Sequence, residues 1–478
     1  MVSNSSGEKV KAVAYVAVVA SVGILAVLAG FTREQVLSVT VLAMFIAGSL
    51  FYWPFRNAFA LLGISLLFLF RVLDVEHFIE YAHLDVVTFI VGMMIIIGTL
   101  EEREFFDWLI ARLVKPFMDR PKLLVIVILM LGFLMAALVD EVTSILFMMT
   151  ILIKITQLFD VNPIPFILFL VFTTNIGSSA TVVGNPIGVL IAFNAGFTFT
   201  DFLRWSAPEA VASALLTSII GVMFLSAYIS KIESKIKSEE ERRKLEEILS
   251  VKWSRRHRNS LIMFLGVLVG LVLHHQLEHI LGLPRNSLLL GVPLLGAGIS
   301  LFVERGRARE IVERRVDWWT LLYFILLFAS VGTMKFTGVT EIIAMWIYEL
   351  SKGSVLLAMA LIGAVAGLLT AFMDNVLAVA TIIPIVEALA GKLNVFMVWW
   401  TLLKAGTYWG NATVIGSTAN IVAAGFVERR YRRGFSMKEW VKIGVPVSLI
   451  TYLIAFAWLY AQHGMAPVWT PLGIGQGH

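Results

Sequence analysis

The sequence contains no cysteine, which excludes disulfide bonds, thiolate metal sites and cysteine nucleophiles. It is also poor in charge: 15% of its 478 residues are Asp, Glu, Lys or Arg, against about 25% in soluble domains. It has no P-loop, no dinucleotide-binding glycine motif after a strand and no nucleophile elbow, so direct use of ATP is not expected. A membrane-embedded enzyme is the least favoured class, because no nucleophile–base pair or metal-ligand box stands out.

Apolar residues, in contrast, make up 59% of the chain. Runs such as 11–30 and 206–228 approach or exceed the roughly 20 residues that a helix needs to cross a bilayer. The sequence therefore predicts an all-α polytopic membrane protein with about 11 transmembrane helices and two re-entrant hairpins. The predicted spans are 11–30, 36–54, 57–73, 84–100, 163–195, 206–228, 260–275, 286–303, 316–334, 396–427 and 440–462, and the hairpins are 123–153 and 354–390.

The positions of the Lys and Arg residues predict the orientation in the cell membrane. With the N-terminus in the cytoplasm and the C-terminus outside, 30 of the 38 fall in inside segments and seven in outside segments. Cytoplasmic loops of membrane proteins carry such an excess of positive charge. If either hairpin crossed the membrane, every later loop would lie on the opposite side and this charge bias would be lost. Both hairpins are therefore expected to enter and leave the membrane on one side.

The highly charged segment 229–259 joins two halves of the chain. Its charges and its Leu/Ile spacing predict a solvated cytoplasmic helix. A plain linker is favoured over a binding site for a cytoplasmic partner, and no nucleic-acid partner is expected. The predicted units are 1–83 with N-terminal helices, 84–228 with the first repeat, 229–259 as linker, 260–303 as a helix pair, and 316–462 with the second repeat.

One motif is written twice. Residues 173–188 read TTNIGSSATVVGNPIG and residues 406–421 read GTYWGNATVIGSTANI, with Ala-Thr-Val-(Val/Ile)-Gly at an offset of 232. Two further blocks match in the same order, 85–88 with 317–320 and 137–142 with 371–376. In the predicted topology the first repeat begins outside and the second begins inside. The repeats are therefore predicted to be inverted, which suits alternating access around one midplane site.

Each copy of the motif predicts a helix that breaks at membrane depth, because Gly, Ser, Thr and Asn crowd an apolar stretch. Free backbone groups there are tolerated only inside protein or beside a cavity, and paired breaks point to a transporter's binding site. The new half-helix N-termini would favour an anion, whereas the half-helix C-termini and unwound carbonyls would favour a cation. The amphipathic segments 103–115 and 338–350, each with a Trp, are predicted to lie at the membrane surface.

The hairpin tips carry three acids, Asp140, Glu141 and Asp374. An ionised carboxylate in hydrocarbon costs about 2.5 kcal/mol or more, so each should face a cavity, bind a cation or be protonated. The alternative for each is an acid that only caps the start of a half-helix. Na⁺ could bind at Asp140 with Asn175 and at Asp374 with Asn411.

Lys404, about one turn before the second break, either snorkels along a helix end or neutralises Asp374 or a bound anion. Any single Ser or Thr of the breaks could bond to its own helix instead of a ligand. The cluster HHQLEH at 274–279 is favoured as a polar loop over a metal site. The candidate substrate- and ion-binding residues are Asp140, Glu141, Asn175, Gly177, Ser178, Ser179, Thr181, Asn185, Asp374, Asn375, Thr407, Asn411, Thr413, Ser417 and Asn420, with Thr418 beside them.

The motifs at 89–114, 136–153, 174–191, 373–386 and 410–425 resemble the ArsB/NhaD permeases of the ion transporter superfamily. The similarity covers about 84–430 and points to the P-permease branch, related to the pink-eyed dilution protein, with a citrate transporter-like domain. It implies an inverted-repeat fold with sites at the tips and breaks, and a homodimer with elevator-like movement. The first tip reads Asp-Glu where Asp-Asn is expected, so Glu141 could make the first site a proton site.

These observations together favour a secondary transporter of a small inorganic ion, arsenite-like or another anion, working by alternating access. The alternatives are a Na⁺/H⁺ antiporter that uses Asp140 and Asp374, and a sodium- or proton-coupled carrier of di- or tricarboxylates. A passive channel is less favoured, because mobile hairpins in an inverted repeat fit alternating access better. Membrane lipids are the expected surroundings, and no cofactor is expected beyond Na⁺ or H⁺ as coupling ion.

Overall fold

The computed structural model describes residues 5–432, 434–470 and 473–474. The predicted all-α class is confirmed: these residues form 24 α-helices and one pair of two-residue strands, Trp469–Thr470 with Gly473–Ile474. Within the described ranges, ten helices are long and apolar enough to cross a membrane, or eleven if one bent pair is a single span. Residues 475–478, which carry the predicted outside C-terminus, lie outside the described residues, as do residues 1–4.

The first 83 residues form four helices ahead of the first repeat. The second helix begins with a capping box, in which the Thr32 hydroxyl accepts from the Gln35 N–H and the Gln35 side-chain oxygen accepts from the Thr32 N–H. The first helix exposes most of its apolar surface, which suits a lipid surrounding. The four helices are α1 (Ser5–Leu28), α2 (Arg33–Phe51), α3 (Arg56–Leu69) and α4 (Val75–Tyr81).

The first repeat contains a long helix, a short amphipathic helix, a helical hairpin, a broken helix and another long helix. Pro121 and Pro186 stand in the first turn of α7 and α10, where the missing N–H is no loss. The helices are α5 (Leu84–Glu102), α6 (Phe105–Val114), α7 (Pro121–Leu138), α8 (Glu141–Leu158), α9 (Ile164–Gly177), α10 (Pro186–Ala195), α11 (Phe199–Trp205) and α12 (Ala207–Phe224).

The charged linker 229–259, predicted to contain a solvated cytoplasmic helix, holds two short helices before the next long helix begins. The second of them starts with three Glu residues, which favour a helix N-terminus through the macrodipole. It packs against α8, and Glu246 pairs with Lys115 at 2.9 Å. The helices are α13 (Ser226–Lys235), α14 (Glu239–Ile248), α15 (Arg255–Leu281), α16 (Ser287–Val303) and α17 (Ala308–Arg315).

The second repeat follows the same order of elements as the first. Its hairpin helices meet at Met373 and Asp374, as those of the first repeat meet at Val139 and Asp140. That both hairpins enter and leave on one side stays a prediction. The helices are α18 (Trp318–Phe336), α19 (Val339–Leu350), α20 (Val355–Phe372), α21 (Asn375–Leu389), α22 (Phe396–Tyr408), α23 (Thr418–Tyr431) and α24 (Met437–Gln462).

The helices that precede each repeat pack on the other repeat. α16, which leads into the second repeat, packs along α5 of the first, and α17 also contacts α5. α2 and α3, which lead into the first repeat, pack along α18 of the second, and α4 does the same. This exchange extends the two-fold correspondence beyond the matched motifs and supports the prediction that the two halves are related by a pseudo-two-fold axis.

The cluster HHQLEH, expected as a polar loop, lies instead inside α15, and that expectation is wrong. His274 and Glu278 are buried one turn apart on the face that also carries Leu271, so the segment continues the helical pattern of its span. The ring Nδ1 of His274 lies 2.7 Å from the carbonyl oxygen of Leu271, and Glu278 accepts a hydrogen bond from the Leu288 N–H at 2.8 Å. Among the described residues no group of three or more His, Asp or Glu is placed to hold a metal ion.

Candidate functional site

Both tip aspartates cap the helix that follows them. Asp140 Oδ1 accepts hydrogen bonds from two backbone N–H groups of α8, both at 2.8 Å. Asp374 Oδ1 does the same for α21, at 3.1 and 3.4 Å, and its Oδ2 accepts from the Thr418 hydroxyl at 2.7 Å. A carboxylate is well placed at a helix N-terminus because it satisfies free donors and meets the positive end of the dipole. The capping role is thus present at both tips, and an ion-binding role stays a prediction.

The residues after the two aspartates, Glu141 and Asn375, bring the hairpin tips together. Glu141 Oε1 accepts from Asn375 Nδ2 at 3.4 Å and from the Ser417 hydroxyl at 3.2 Å. Only 3% of Glu141 is exposed, and its other oxygen, Oε2, is buried and has no hydrogen-bond partner among the described residues. Glu141 is therefore the tip carboxylate that is not used for capping.

The first break, between α9 and α10, is fixed by short contacts that only glycine permits. A Cβ atom on Gly177 would lie 2.2 Å from the Phe133 carbonyl oxygen of α7, and one on Gly184 would lie 2.3 Å from the Ser178 carbonyl oxygen. The chain therefore turns back on itself within a few residues, through a short 3₁₀ segment at Val182–Gly184.

Polar side chains hold the first break in place. The Thr181 hydroxyl donates to the Ala137 carbonyl oxygen near the end of α7. Asn185 caps α10 by accepting from the Gly188 N–H at 2.7 Å and donates to the Ser178 hydroxyl at 2.8 Å. These bonds satisfy backbone and side-chain groups that are buried away from water.

The second break, between α22 and α23, repeats the scheme with other residues. The Thr413 hydroxyl donates to the Ala371 carbonyl oxygen of α20 at 2.6 Å, as Thr181 does to Ala137. Ser417 caps α23 by accepting from the Ala419 N–H at 3.2 Å. Each break is thus tied to the first helix of its own hairpin.

Three asparagines join the two breaks. Asn175 Nδ2 donates to Asn411 Oδ1 and to Asn420 Oδ1, both at 2.8 Å, and its Oδ1 accepts from the Ser417 hydroxyl at 3.2 Å. Asn420 Nδ2 in turn donates to the Gly410 carbonyl oxygen at 2.7 Å. The predicted asparagines therefore converge, and the hydroxyl of Ser417 links them to Glu141.

The predicted Na⁺ sites, at Asp140 with Asn175 and at Asp374 with Asn411, stay a prediction. In the described part of the chain the Asn175 amide donates to Asn411 Oδ1, and each aspartate caps its own helix. Three predicted hydroxyls bond to carbonyl oxygens three or four residues earlier on their own helix, as the alternative reading allowed. They are Ser178, Ser179 and Thr407.

Lys404 pairs with Glu209, an acid that is not among the predicted site residues. Its Nζ lies 2.7 Å from Glu209 Oε2, and both side chains are 1% exposed. Neither snorkelling nor pairing with Asp374 therefore describes Lys404. A signal was present in the sequence, because Lys404 and Glu209 each stand alone as the charged residue of a predicted span, 396–427 and 206–228.

A cavity of about 280 Å³ reaches the first tip and the first break. It lies between α5, α10 and the start of α18, and its inner wall includes Asp140, Glu141 and Asn185. Glu101 and Arg315 line its other end, where they form a salt bridge at 2.8 Å. The polar residues on its wall are Glu101, Asp140, Glu141, Thr143, Asn185, Arg315, Asp317, Thr320 and Thr418.

A second cavity of about 140 Å³ lies at the opposite ends of α10, α18 and α21. It is lined by charged and polar groups that include His83, Asn194, Lys335 and Glu387. Lys335 Nζ of α18 lies 2.8 Å from Glu387 Oε2 of α21, so a salt bridge joins the second repeat's first helix to its hairpin. The same helices therefore border two cavities that face opposite ends of the molecule.

Comparisons with known proteins agree with this fold. The citrate transporter family model matches residues 41–405. An uncharacterized transporter of Mycobacterium tuberculosis is 31% identical over 384 residues, which is 79% of this chain and 86% of that protein. The human P protein is 24% identical over 461 residues, 82% of this chain and 55% of that protein. The crystal structure of the Alcanivorax borkumensis YdaH transporter has a similar fold, with a TM-score of 0.55 and 16% identity over 85% of this chain and 90% of that one.

The kinship expected from the tip and break motifs is confirmed by the family match and by the P protein among the relatives. The expectation of a protein that is not an enzyme agrees with a family of transporters. The many apolar helices make it a multi-pass membrane protein. The chain therefore belongs to the citrate transporter family and is a secondary transporter.

Proposed function

We propose that this protein is a cation/proton antiporter in which Glu141 binds the transported cation and the proton in turn. The observation that carries the proposal is the unpartnered, buried Oε2 of Glu141 on the wall of the larger cavity. A buried carboxylate without a counter-charge must acquire a proton or a cation. In the described residues no Lys, Arg or His forms a salt bridge with Glu141.

The helix starts support a cation over an anion. The anion prediction rests on the N–H groups at the starts of α10 and α23, but the side chains of Asn185 and Ser417 already accept a hydrogen bond there. At the starts of α8 and α21 the caps are the carboxylates Asp140 and Asp374, which repel an anion. The arsenite-like or anion permease is therefore less favoured than the antiporter. The four capping residues are Asp140, Asn185, Asp374 and Ser417.

The two cavities support alternating access. The larger one ends at Glu101 and Arg315, in segments that the charge distribution places on the cytoplasmic side. The smaller one is bordered by Lys335 and Glu387, which the same prediction places outside. We propose that the structure represents the conformer open to the cytoplasm, with its outer entrance held closed by the Lys335–Glu387 salt bridge.

A carboxylate carrier is the second candidate. The matching family is described as a citrate transporter, and Arg315 at the cavity entrance is a cation that a carboxylate could contact. In this reading a cation at Glu141 would offset part of the negative charge of the carried anion. We further propose, from the resemblance alone, a homodimer in the cell membrane with elevator-like movement, and leave open a partner at 229–259.

Purified protein in proteoliposomes with an entrapped pH-sensitive dye tests the antiporter. Addition of Na⁺, Li⁺ or K⁺ to one side should drive a pH change inside, and the Glu141→Gln variant should lose it. Glu233→Gln is the matched control, because Glu233 is exposed on α13 and should leave exchange unchanged. The antiporter is wrong if wild-type vesicles respond to none of these ions from acid to alkaline pH; uptake of labelled citrate in the same vesicles would then favour the carrier.

A further inference from the structure

The buried pair of Lys404 and Glu209 has no part in the transport site described above. Lys404 lies on the last turns of α22 and Glu209 on the first turn of α12, and neither side chain lines the two cavities. A charged pair in the interior of a membrane protein is costly to bury and usually has a function.

The ammonium group of Lys404 is surrounded by oxygen atoms from three segments of the chain. Its Nζ lies 2.7 Å from Glu209 Oε2, 3.0 Å from the Ser206 carbonyl oxygen, 3.1 Å from the Tyr408 hydroxyl and 3.2 Å from the Ser179 hydroxyl. One carboxylate, one backbone carbonyl and two hydroxyls are also the groups that hold a sodium ion beside an unwound helix.

The four oxygen atoms around the Lys404 ammonium form an oxygen shell, and its position in the fold also favours a cation. Ser179 follows the C-terminal end of α9, where the helix dipole is negative and carbonyl groups lack helical partners. In the second break the equivalent residue is Asn411, whose carbonyl oxygen accepts from Trp440 Nε1 at 2.9 Å. The equivalent carbonyl of Ser179 accepts from the Ser206 hydroxyl at 2.6 Å, so a side-chain donor meets this carbonyl in both breaks, and the ammonium group is present only at the first.

Every polar atom of the Lys404–Glu209 pair has a hydrogen-bond partner, whereas Oε2 of Glu141 has none among the described residues. Tyr408 donates its hydroxyl hydrogen to Glu209 Oε2 at 2.8 Å, and the Ser213 hydroxyl donates to Glu209 Oε1 at 2.5 Å. Neither Lys404 nor Glu209 has a buried polar atom without a partner. The pair therefore holds the first break to α12 and α22 in a closed network.

We propose that the Lys404 ammonium is a tethered cation that fills a monovalent alkali-cation site at the first break. The side chain supplies permanently the charge that a bound sodium ion would supply, so this break needs no ion from solution. Removal of the side chain should then expose a latent site made of the Glu209 carboxylate, the Ser206 carbonyl and the hydroxyls of Ser179 and Tyr408. The inference does not depend on which ion the protein transports.

The test is the thermal unfolding of detergent-solubilised variants, followed by tryptophan fluorescence in NaCl, KCl or N-methylglucamine chloride at matched ionic strength. Every variant carries Glu141→Gln, so that cation binding at the transport carboxylate does not contribute. Lys404→Ala should unfold at a lower temperature in N-methylglucamine, and Na⁺ or K⁺ should raise that temperature saturably. The same salts should not raise the unfolding temperature of the Glu141→Gln parent, which keeps Lys404. Nor should they raise that of the double variant, in which Lys404→Ala and Glu209→Gln are added to this parent.

A third variant, Lys404→Met, fills the space without a charge and should show no saturable response to Na⁺. The proposal is overturned if Lys404→Ala gains no more from alkali ions than from N-methylglucamine, or if it gains no more than the double variant does. It is equally overturned if Lys404→Ala cannot be recovered folded in any alkali salt. The readout is stability alone, so a failure of the antiporter proposal would leave this result standing.

Discussion

Asn375 Nδ2 lies 3.4 Å from Glu141 Oε1, although the two residues are 234 positions apart and hold the same place in the two hairpins. The repeats therefore meet at their tips with one ionisable group and one neutral amide. Two acids at this contact would repel each other when ionised, and two amides could bind neither a proton nor the charge of a cation. The asymmetry of this contact leaves one ionisable group, Glu141, between the two hairpin tips.

The amide of Asn175 should be necessary for the connection between the breaks. Asn175→Ala removes its bonds to Asn411, Asn420 and Ser417 and leaves buried acceptors unpaired, at about 1–3 kcal/mol for each such group. We expect a lower unfolding temperature and a loss of transport. Asn259→Ala is the control, since Asn259 is exposed near the start of α15; equal effects of the two variants would contradict the role of Asn175.

Gly184 lies so close to the Ser178 carbonyl oxygen that an alanine at this position should destabilise the protein. Its Cβ would lie 2.3 Å from a backbone oxygen, and overpacking of this kind typically costs about 1–3 kcal/mol. Gly184→Ala should lower both the unfolding temperature and the transport rate. The matched variant is Gly266→Ala in α15, where a Cβ would meet nothing within 4 Å, so helix propensity should keep or raise stability. Similar unfolding temperatures for the two variants would argue against this account.

The salt bridge between Lys335 and Glu387 should control access from the outer side. Both side chains are partly exposed, so its loss should cost no more than about 1 kcal/mol of stability. Lys335→Gln should nevertheless increase the rate at which a membrane-impermeant thiol reagent labels Asn194→Cys in the smaller cavity. The exchanged pair Lys335→Glu/Glu387→Lys should restore slow labelling.

The absence of cysteine makes a clean background for that experiment. The matched control is Lys231→Gln, which breaks a salt bridge to Asp160 on the predicted cytoplasmic side. It should leave the labelling rate of the introduced cysteine unchanged. If it accelerates labelling as much as Lys335→Gln does, the outer salt bridge is not the barrier.

The predicted orientation can be tested with the same reagent. Ser238→Cys, in the charged linker, should be labelled only from the cytoplasmic side, and Lys392→Cys, after the second hairpin, only from outside; both positions are exposed. Sealed right-side-out and inverted vesicles give the two readings. Labelling of both cysteines in the same kind of vesicle would refute the one-sided second hairpin, and labelling of each from the side opposite to that expected would refute the orientation.

Hydropathy and residue type predicted the helices and the breaks well, because both depend on local sequence. The predicted span 396–427 agrees with α22 and α23 over Phe396–Tyr431, and the irregular segment falls at the Gly- and Asn-rich motif. The prediction of a loop at HHQLEH was wrong because this segment looks polar when read residue by residue. Its helical character shows only in the spacing of Leu271, His274 and Glu278, which lie on one buried face.

Long-range pairing could not be predicted in the same way. Lys404 and Glu209 are 195 residues apart, and which acid meets the lysine depends on how α12 crosses α22. The tip aspartates were recognised, but whether their oxygens point at a ligand or at the first turn of a helix depends on the local backbone. The proximity of Asn175, Asn411 and Asn420 likewise needs both breaks to fold before it exists.

The hydroxyls of Thr181 and Thr413 should make each hairpin and the broken helix of the same repeat move together. Each fastens an unwound segment to the hairpin helix of its own repeat, at the Ala137 and Ala371 carbonyl oxygens. A tip that swung open alone would have to break this buried bond and leave its donor and acceptor unpaired. Hairpin and broken helix should therefore travel as one rigid cassette, with the bending confined to the loops that connect the cassette to α5 and α18.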